Sequence, residues 1–411
     1  MADGQSRNPF AGKRIALGVT GSIAAYKAVA IASSLTQQGA LVDVVMTPAA
    51  TRLVQPLSFQ AITHRPVVVD MFELLAETEI GHVTIGHAAD AYIIAPATAH
   101  SIAKLALGLA DDMVTTTALA TTAPIVLAPA METNMWRNVA TQGHVRTLAD
   151  RGWTIVHPDA GHLASGAVGE GRLAAPERIV EVTKQLLSRR GDLGGLRVAV
   201  TAGGTREPID PVRYVSNRSS GKMGYALAET ARDRGAEVTL ITTVELAPPI
   251  GARVIQVERA VEMRSAVMDA LPLIDVLVMA AAVADYEPAE PSDQKIKKDS
   301  QRFSIDVAPT PDILADVAAA RGEAASPLLV GFAAETERLL DNAKSKLTRK
   351  RLDLLIANDV SLRDSGFGSD YNTVTLLHPD GRQIEVPRLT KVEVAHRIWD
   401  EVNAIRAGAS L

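Results

Sequence analysis

Residues 201 to 224, TAGGTREPIDPVRYVSNRSSGKMG, follow the apolar run Leu196-Arg-Val-Ala-Val200 and lead directly into Tyr225-Ala-Leu-Ala-Glu-Thr-Ala-Arg. The first flank reads as a buried strand and the second as a helix. A strand, a glycine-rich turn and a helix in that order bring free backbone N–H groups and the positive helix end to one place, where a phosphate binds. The stretch is longer than an ordinary dinucleotide turn and carries Asn217, Arg218, Ser219, Ser220 and Lys222. That density of donors suits a ligand with several anionic groups. Gly203 and Gly204 by themselves would more often only let the chain turn; the polar cluster decides in favour of a ligand.

The same pattern occurs earlier in the chain. Arg14-Ile-Ala-Leu-Gly-Val19 reads as a buried parallel strand, followed by Thr20-Gly21-Ser22, a helix from about Ile23 to Gln38, and a second strand, Leu41-Val-Asp-Val-Val-Met46. After residue 195 the counterparts are Val198-Ala-Val200, the long loop, a helix to about Arg234 and Glu237-Val-Thr-Leu-Ile-Thr242. Further apolar strands fall at 91–95, 124–128, 276–279, 328–331 and 354–357, separated by helix-length segments. This alternation predicts an α/β fold of two doubly wound, Rossmann-like domains with mainly parallel sheets. The charged, glycine-containing segment Leu187-Ser-Arg-Arg-Gly-Asp-Leu-Gly-Gly195 places the seam between domains 1–189 and 190–411. Residues 371–386 read as a hairpin turning at Pro379-Asp-Gly-Arg, and a closing helix is expected from about Lys391 to Ala407.

The bulk numbers agree with two domains. The chain has 411 residues, against a prior of about 100–200 residues per domain. It is 47% hydrophobic and only 4% aromatic, so its cores rest on Ala, Val, Leu and Ile. A net charge of −5 gives no general attraction to nucleic acid or an anionic membrane. The absence of cysteine excludes disulfides, thiolate metal sites and a cysteine nucleophile or acid. No apolar run approaches the roughly 20 residues needed to span a bilayer, and the first residues lack the apolar stretch of a secretion signal, so a cytoplasmic location is expected.

In the second half, Met279-Ala-Ala-Ala-Val-Ala-Asp285-Tyr286 ends a buried strand on a carboxylate, at the carboxyl edge where such folds bind ligands. Lys295-Ile-Lys-Lys298 follows closely. With the long loop, Gly331-Phe-Ala-Ala-Glu-Thr336, Ala357-Asn-Asp-Val360 and Gly366-Phe-Gly-Ser-Asp370, residues 190–411 resemble the phosphopantothenate-cysteine ligases. The resemblance implies that CTP activates 4′-phosphopantothenate to an acyl-cytidylate with loss of pyrophosphate, and that the amine of L-cysteine then displaces CMP. Activation supplies the leaving group a carboxylate lacks, and Mg²⁺ and lysines neutralise the departing pyrophosphate. By the same resemblance Ala281, Ala282 and Val283 present backbone to the nucleotide and Lys295 approaches it. Pro309, Thr310, Pro311 and Asp312 form a further nucleotide loop, and Phe332, Lys346 and Lys350 complete the site. Asp285 is the candidate metal ligand, and Asn217 holds the acyl-cytidylate carbonyl. Thr310 stands where the family has asparagine. Lys346 and Lys350, at i and i+4, share a helix face; such a pair alone is more often a solvated stripe.

In the first half, Gly21-Ser-Ile-Ala-Ala-Tyr-Lys27, Thr47-Pro-Ala-Ala, residues 82–104 and Pro129-Ala-Met-Glu-Thr-Asn-Met-Trp136 resemble the homo-oligomeric flavin-containing cysteine decarboxylases, phosphopantothenoylcysteine decarboxylase in particular. The resemblance implies a flavodoxin-like domain with FMN, which oxidises the substrate thiol to a thioaldehyde, giving decarboxylation an electron sink, and then returns the hydride. It places Gly21, Ser22, Thr47, Thr98, Ala99, His100, Ser101 and Ala130 at the cofactor. His82 becomes the catalytic histidine, and Glu132, Asn134, Met135 and Arg172 face the substrate. Glu132 stands where the family has asparagine, so either it is protonated or it turns away and Asn134 takes its work. Gly161-His-Leu-Ala-Ser165-Gly-Ala-Val-Gly-Glu-Gly-Arg172 resembles a substrate-covering flap with Ser165 in place of an acidic cysteine. An alcohol is a far weaker acid than a thiol, so His162, Glu170 or a water is expected to donate the proton. The glycines at 161, 166, 169 and 171 are expected to keep the flap mobile.

Together the halves resemble the bifunctional coenzyme A biosynthesis proteins, which implies a homo-oligomer with trimeric decarboxylase and dimeric ligase contacts. A dinucleotide-dependent dehydrogenase is disfavoured, because neither turn fits G-x-G-x-x-G and Met46-Thr-Pro and Ile241-Thr-Thr stand where an acidic residue should close the second strand. A flavin-bound scaffold whose first half has lost activity is the alternative that Ser165 and Glu132 keep open.

Overall fold

A computed structural model describes residues 8–72, 74–76, 79–164, 166–189, 191–297, 304–335, 339–359 and 368–408. The chain divides into two compact units, residues 1–188 and 189–411. The first is built on a six-stranded sheet in the order Val67–Val68, Leu41–Met46, Arg14–Val19, Ala91–Ala97, Ile125–Pro129, Thr154–Ile155, all parallel. Chain order reverses between Arg14–Val19 and Ala91–Ala97, so a crevice opens there at the carboxyl ends of the strands.

Each central strand is a continuous apolar run because helices cover both faces of the sheet. Within each run the side chains alternate. Ile15, Leu17, Val44, Ile93 and Val126 enter one core, while Ala16, Val45, Tyr92, Ile94 and Leu127 enter the other. Tyr92 is fully buried and its hydroxyl donates to the Val114 carbonyl at 2.9 Å; burial pushes its pKa well above the ordinary value.

The second unit repeats the plan with eight strands: Arg253–Gln256, Glu237–Thr242, Arg197–Ala202, Val276–Met279, Leu328–Glu335, Leu354–Asp359, Tyr371–Leu377 and Gln383–Thr390. The first six are parallel and the last two form the expected antiparallel hairpin. The closing helix Lys391–Arg406 lays Val394, Ile398, Trp399 and Val402 on one sheet face. Trp399, fully buried, donates from Nε1 to the Leu227 carbonyl and to Thr230 Oγ1, both at 3.1 Å, so its polar atom is satisfied inside the core. The edge strands Val67–Val68, Thr154–Ile155 and Arg253–Gln256 go beyond what the sequence revealed, as do four small antiparallel pairings: 74–76 with 79–80, 159–162 with 168–172, 206–208 with 214–216, and 286–288 with 307–309. No helix among the described residues is long and apolar enough to cross a membrane.

Candidate functional site

In the first unit, adjacent strands end level with one another, Val19 pairing with Met46 and Ala97 with Pro129. The residues that follow become helix caps. Ser22 accepts from the Ala24 N–H, Thr47 from Ala50, and Thr98 from Ser101. Four of the residues expected at FMN, Ser22, Thr47, Thr98 and Ser101, therefore lie at helix N-termini along one carboxyl edge, where N–H dipoles favour an anion. Ala99 and His100 start the third of these helices, and His100 is exposed. Gly21 lets two of these loops meet, since a Cβ there would lie 2.6 Å from that of Ala49.

Thr20, which sequence reasoning passed over, stitches the crevice together. It is fully buried, donates to the Pro96 carbonyl and accepts from the Thr98 N–H at 3.0 Å. Its only sequence signal was its place at the end of the first strand.

Ala130 extends the next strand by donating to the Ala97 carbonyl at 3.0 Å, and Met131 N–H then donates to the Gly171 carbonyl at 2.9 Å. The flap hairpin is thus fastened to the crevice at its base. A Cβ on Gly171 would come 2.2 Å from the Met131 carbonyl oxygen, and one on Gly169 would come 2.4 Å from Thr133 Oγ1. These two glycines serve close docking rather than mobility; Gly166, with φ of +83° and open space around it, is the one that turns the tip. His162 and Glu170 share one face of the hairpin, because His162 pairs with Val168 and Ala160 with Glu170, and both are exposed. Ser165 lies outside the described residues.

Glu132 has a structural task of its own. Its carboxylate folds back to cap the helix Thr133–Arg137, accepting from the Asn134 N–H at 2.7 Å and from Met135 at 3.4 Å, and the Asn134 and Met135 side chains are left exposed. His82 opens the helix Gly81–Ala88, which leads into the amino end of strand Ala91–Ala97. His82 is half-buried and its Nδ1 has no hydrogen-bond partner among the described residues, whereas His87 is exposed. Arg172 lines a cleft of about 740 Å³ with Lys27, Asp159 and Glu177, so its positive charge is shared with a second cation and balanced by two carboxylates. Burial lowers the pKa of Lys27, and Arg172 beside it lowers it further.

The second unit repeats the threonine stitch. Thr201 Oγ1 accepts from the Ala281 N–H at 3.1 Å, Thr205 Oγ1 accepts from Ala284 at 2.9 Å, and Ala282 N–H donates to the Gly203 carbonyl at 2.8 Å. The loop after the first strand and the segment after the fourth are thereby locked side by side. Asn217 adds a further link, its Nδ2 donating to the Val283 carbonyl at 2.9 Å. Helix Lys222–Asp233 begins at Gly221, whose φ of +74° is a left-handed turn, and no side chain caps it. Its first N–H groups are directed at the loop without a competing side-chain acceptor.

Asp285 is exposed, and its carbonyl accepts from the Thr310 N–H at 3.0 Å, which ties Pro309–Asp312 to the same edge. Asp312 caps helix Ile313–Arg321 and pairs with Lys350. Burial raises the Asp312 pKa, but the Lys350 ammonium and the Ala315 N–H outweigh it and hold the carboxyl below its usual range. Lys346 donates to the Phe332 carbonyl at 2.7 Å. Lys346 is thus tied to the middle of strand Leu328–Glu335 and Lys350, which is buried, to the N-cap of helix Ile313–Arg321, so the two do not form a solvated stripe. Lys295 is exposed and makes no ion pair among the described residues.

The flavoprotein family model matches residues 4–188, and the model of the DNA/pantothenate metabolism flavoprotein C-terminal domain matches residues 193–405. The coenzyme A biosynthesis bifunctional protein CoaBC of Vibrio cholerae is 44% identical over 392 residues, 95% of this chain and 97% of that protein. Its counterpart in Bacillus subtilis is 43% identical over 397 residues, 96% of this chain and 97% of that one. Among solved structures, the C-terminal domain of a coenzyme A biosynthesis bifunctional protein CoaBC is 39% identical and covers 53% of this chain and 100% of that one, with a TM-score of 0.45. The matched span takes in both units, and the chain belongs to the family of coenzyme A biosynthesis bifunctional proteins.

Proposed function

We propose that residues 190–411 join 4′-phosphopantothenate to L-cysteine at the expense of CTP, and that residues 1–189 decarboxylate the product to 4′-phosphopantetheine with FMN. The observation that carries the ligase reading is the locked pair of segments 201–205 and 281–284, which holds Asn217 and the uncapped helix start at Lys222 beside the Val283 carbonyl. The N–H groups of that helix start bind phosphate oxygens, and Asn217 keeps a second amide hydrogen for the activated carbonyl. Because Lys350 shares its charge with Asp312, Lys295 is the cation best able to follow the departing pyrophosphate. Among the described residues no three His, Asp or Glu side chains converge to hold a metal. Mg²⁺ would instead take Asp285 with phosphate oxygens and water, a set that suits this ion.

The first crevice fits a flavin phosphate, with capping hydroxyls and helix N-termini along its edge, and the half-buried His82 keeps an Nδ1 without a hydrogen-bond partner among the described residues. The flavin, when bound, supplies reversible hydride withdrawal from the carbon bearing the thiol. His82 accepts the thiol proton. Asn134, relieved by the inward turn of Glu132, binds the substrate carboxylate, and the flap face bearing His162 and Glu170 delivers the proton. A homo-oligomer in the cytoplasm is the working form; exposed Val212, Tyr214, Tyr286 and Val307 on the small hairpins of the second unit give a second copy an apolar surface.

The test is product analysis with 4′-phosphopantothenate, L-cysteine, Mg²⁺ and either CTP or ATP. Pyrophosphate and phosphopantothenoylcysteine are expected with CTP, followed by CO₂ from the FMN-loaded protein. No pyrophosphate would overturn the ligase reading, and pyrophosphate without CO₂ would make the first unit a flavin-bound scaffold.

A further inference from the structure

Asp210 and Arg213 both sit inside the long loop between strand Arg197–Ala202 and helix Lys222–Asp233. Asp210 is buried in the turn 210–213, and its two carboxylate oxygens do different work. Oδ1 accepts from the Val212 and Arg213 N–H groups, both at 2.9 Å, which is the ordinary task of an aspartate opening a turn. Oδ2 is surplus to the turn. It accepts from Arg213 Nε at 2.9 Å and from the Ile296 N–H at 3.2 Å, across 86 residues of sequence. Arg213 Nη2, also paired with Asp210, donates to the Ile296 carbonyl at 2.9 Å. One carboxylate–guanidinium pair thus holds both backbone groups of Ile296. A further bond from the Ser292 N–H to the Ile209 carbonyl, at 2.9 Å, fastens the same segment four residues earlier.

We propose that Asp210, working through Arg213 and the Ile296 backbone, is a positioning residue that fixes the root of Lys295 for its part in nucleotide activation. Ile296 is half-buried while Lys295 and Lys297 on either side are exposed, so the clamp grips the main chain and leaves two long cationic arms extending from a fixed base. Holding the root restricts the conformations that the lysine must lose when it meets a phosphate. The Arg213 guanidinium beside Asp210 holds its carboxyl well below the usual carboxylate range, with the Val212, Ile296 and Arg213 N–H groups acting in the same direction, so the clamp is ionised throughout the working pH range.

This inference rests on the ligase reading, and the experiment separates the two. Asp210→Asn keeps an oxygen for the turn but replaces the other with an amide nitrogen that cannot accept from Ile296. Pyrophosphate release from CTP and 4′-phosphopantothenate is expected to fall by about 100-fold, the effect of misplacing a reacting group by roughly 1 Å, mainly in kcat. Decarboxylation of supplied phosphopantothenoylcysteine should stay at the parent rate. The decisive comparison is the cycle with Lys295→Gln. If Asp210 acts through Lys295, the double variant is no slower than Lys295→Gln alone. Ile296→Pro, which deletes the N–H donor and leaves Asp210 in place, should reproduce the loss and the same non-additivity, and it serves where Asp210→Asn does not fold. Losses that multiply in both cycles overturn the positioning role, whereas a parent enzyme that releases no pyrophosphate overturns the ligase reading itself.

Discussion

Gly171→Ala tests whether the flap of the first unit works by being docked. Gly171 has φ of +145°, and its missing Cβ would overlap the Met131 carbonyl oxygen at 2.2 Å, a backbone atom that cannot rotate away. The backbone conformation costs an alanine about 1–3 kcal/mol and the overlap about another 1–3 kcal/mol. Against this strain of roughly 2–6 kcal/mol, the docking tie is one hydrogen bond, Met131 N–H to the Gly171 carbonyl, with a net contribution of about 0.5–1.5 kcal/mol. Letting go of the hairpin base is therefore cheaper than distorting the sheet. Decarboxylation of supplied phosphopantothenoylcysteine should fall about tenfold or more, since each 1.4 kcal/mol of lost docking is a factor of about 10. FMN absorbance and the thermal midpoint of the first unit should hardly change, while hydrogen exchange at the Met131 amide should accelerate. Gly166→Ala is the control. With φ of +83° and no atom within 4 Å, it bears only the left-handed penalty and leaves docking intact. A Gly171→Ala protein that decarboxylates at the parent rate with its Met131 amide still protected would refute the docking argument.

Two further predictions concern the stability of the second unit. Glu207 is fully buried and accepts from the Ala260 N–H at 2.9 Å, capping a helix from a distant strand; Glu207→Ala strands that N–H and should cost about 1–3 kcal/mol, read as a thermal midpoint lower by about 2–4 °C per kcal/mol. Burial lowers the pKa of His378 and Arg382 lowers it further, with Glu401, 3.2 Å from Nε2, opposing without prevailing. The unfolded chain therefore binds the proton more tightly. Stability is complete above the ordinary value of about 6.5 and falls as pH drops from there toward the lowered folded value, so urea unfolding between pH 7 and 5 should show a slope that His378→Gln flattens.

How much of this was legible in the sequence depended on distance along the chain. Arg14–Val19, Leu41–Met46 and Val276–Met279 are found at their expected residues, because a parallel strand covered on both faces must be a continuous apolar run. Val67–Val68 and Thr154–Ile155 escaped notice since two half-buried edge residues leave no such run. Ser22, Thr47 and Thr98 stood in recognisable motifs, but their common role as helix caps was not legible. Lys346 and Lys350 could be placed on one helix face by spacing, whereas their bonds to Phe332 and Asp312 could not be read, because these partners lie on elements that precede them in the chain.

By itself the sequence determined the two α/β units, the order of their strands and helices, and the glycine- and donor-rich turns, all properties carried by local periodicity and composition. Tertiary structure alone decided which of the polar groups meet. The Thr20 and Thr201 stitches, the inward turn of Glu132, the docking of Gly171 on Met131 and the hold of Asp210 on Ile296 each depend on a specific backbone atom. All but the turn of Glu132 join residues about 40 to 90 positions apart, and no local pattern of residues encodes a partner that only sheet pairing brings within hydrogen-bond reach.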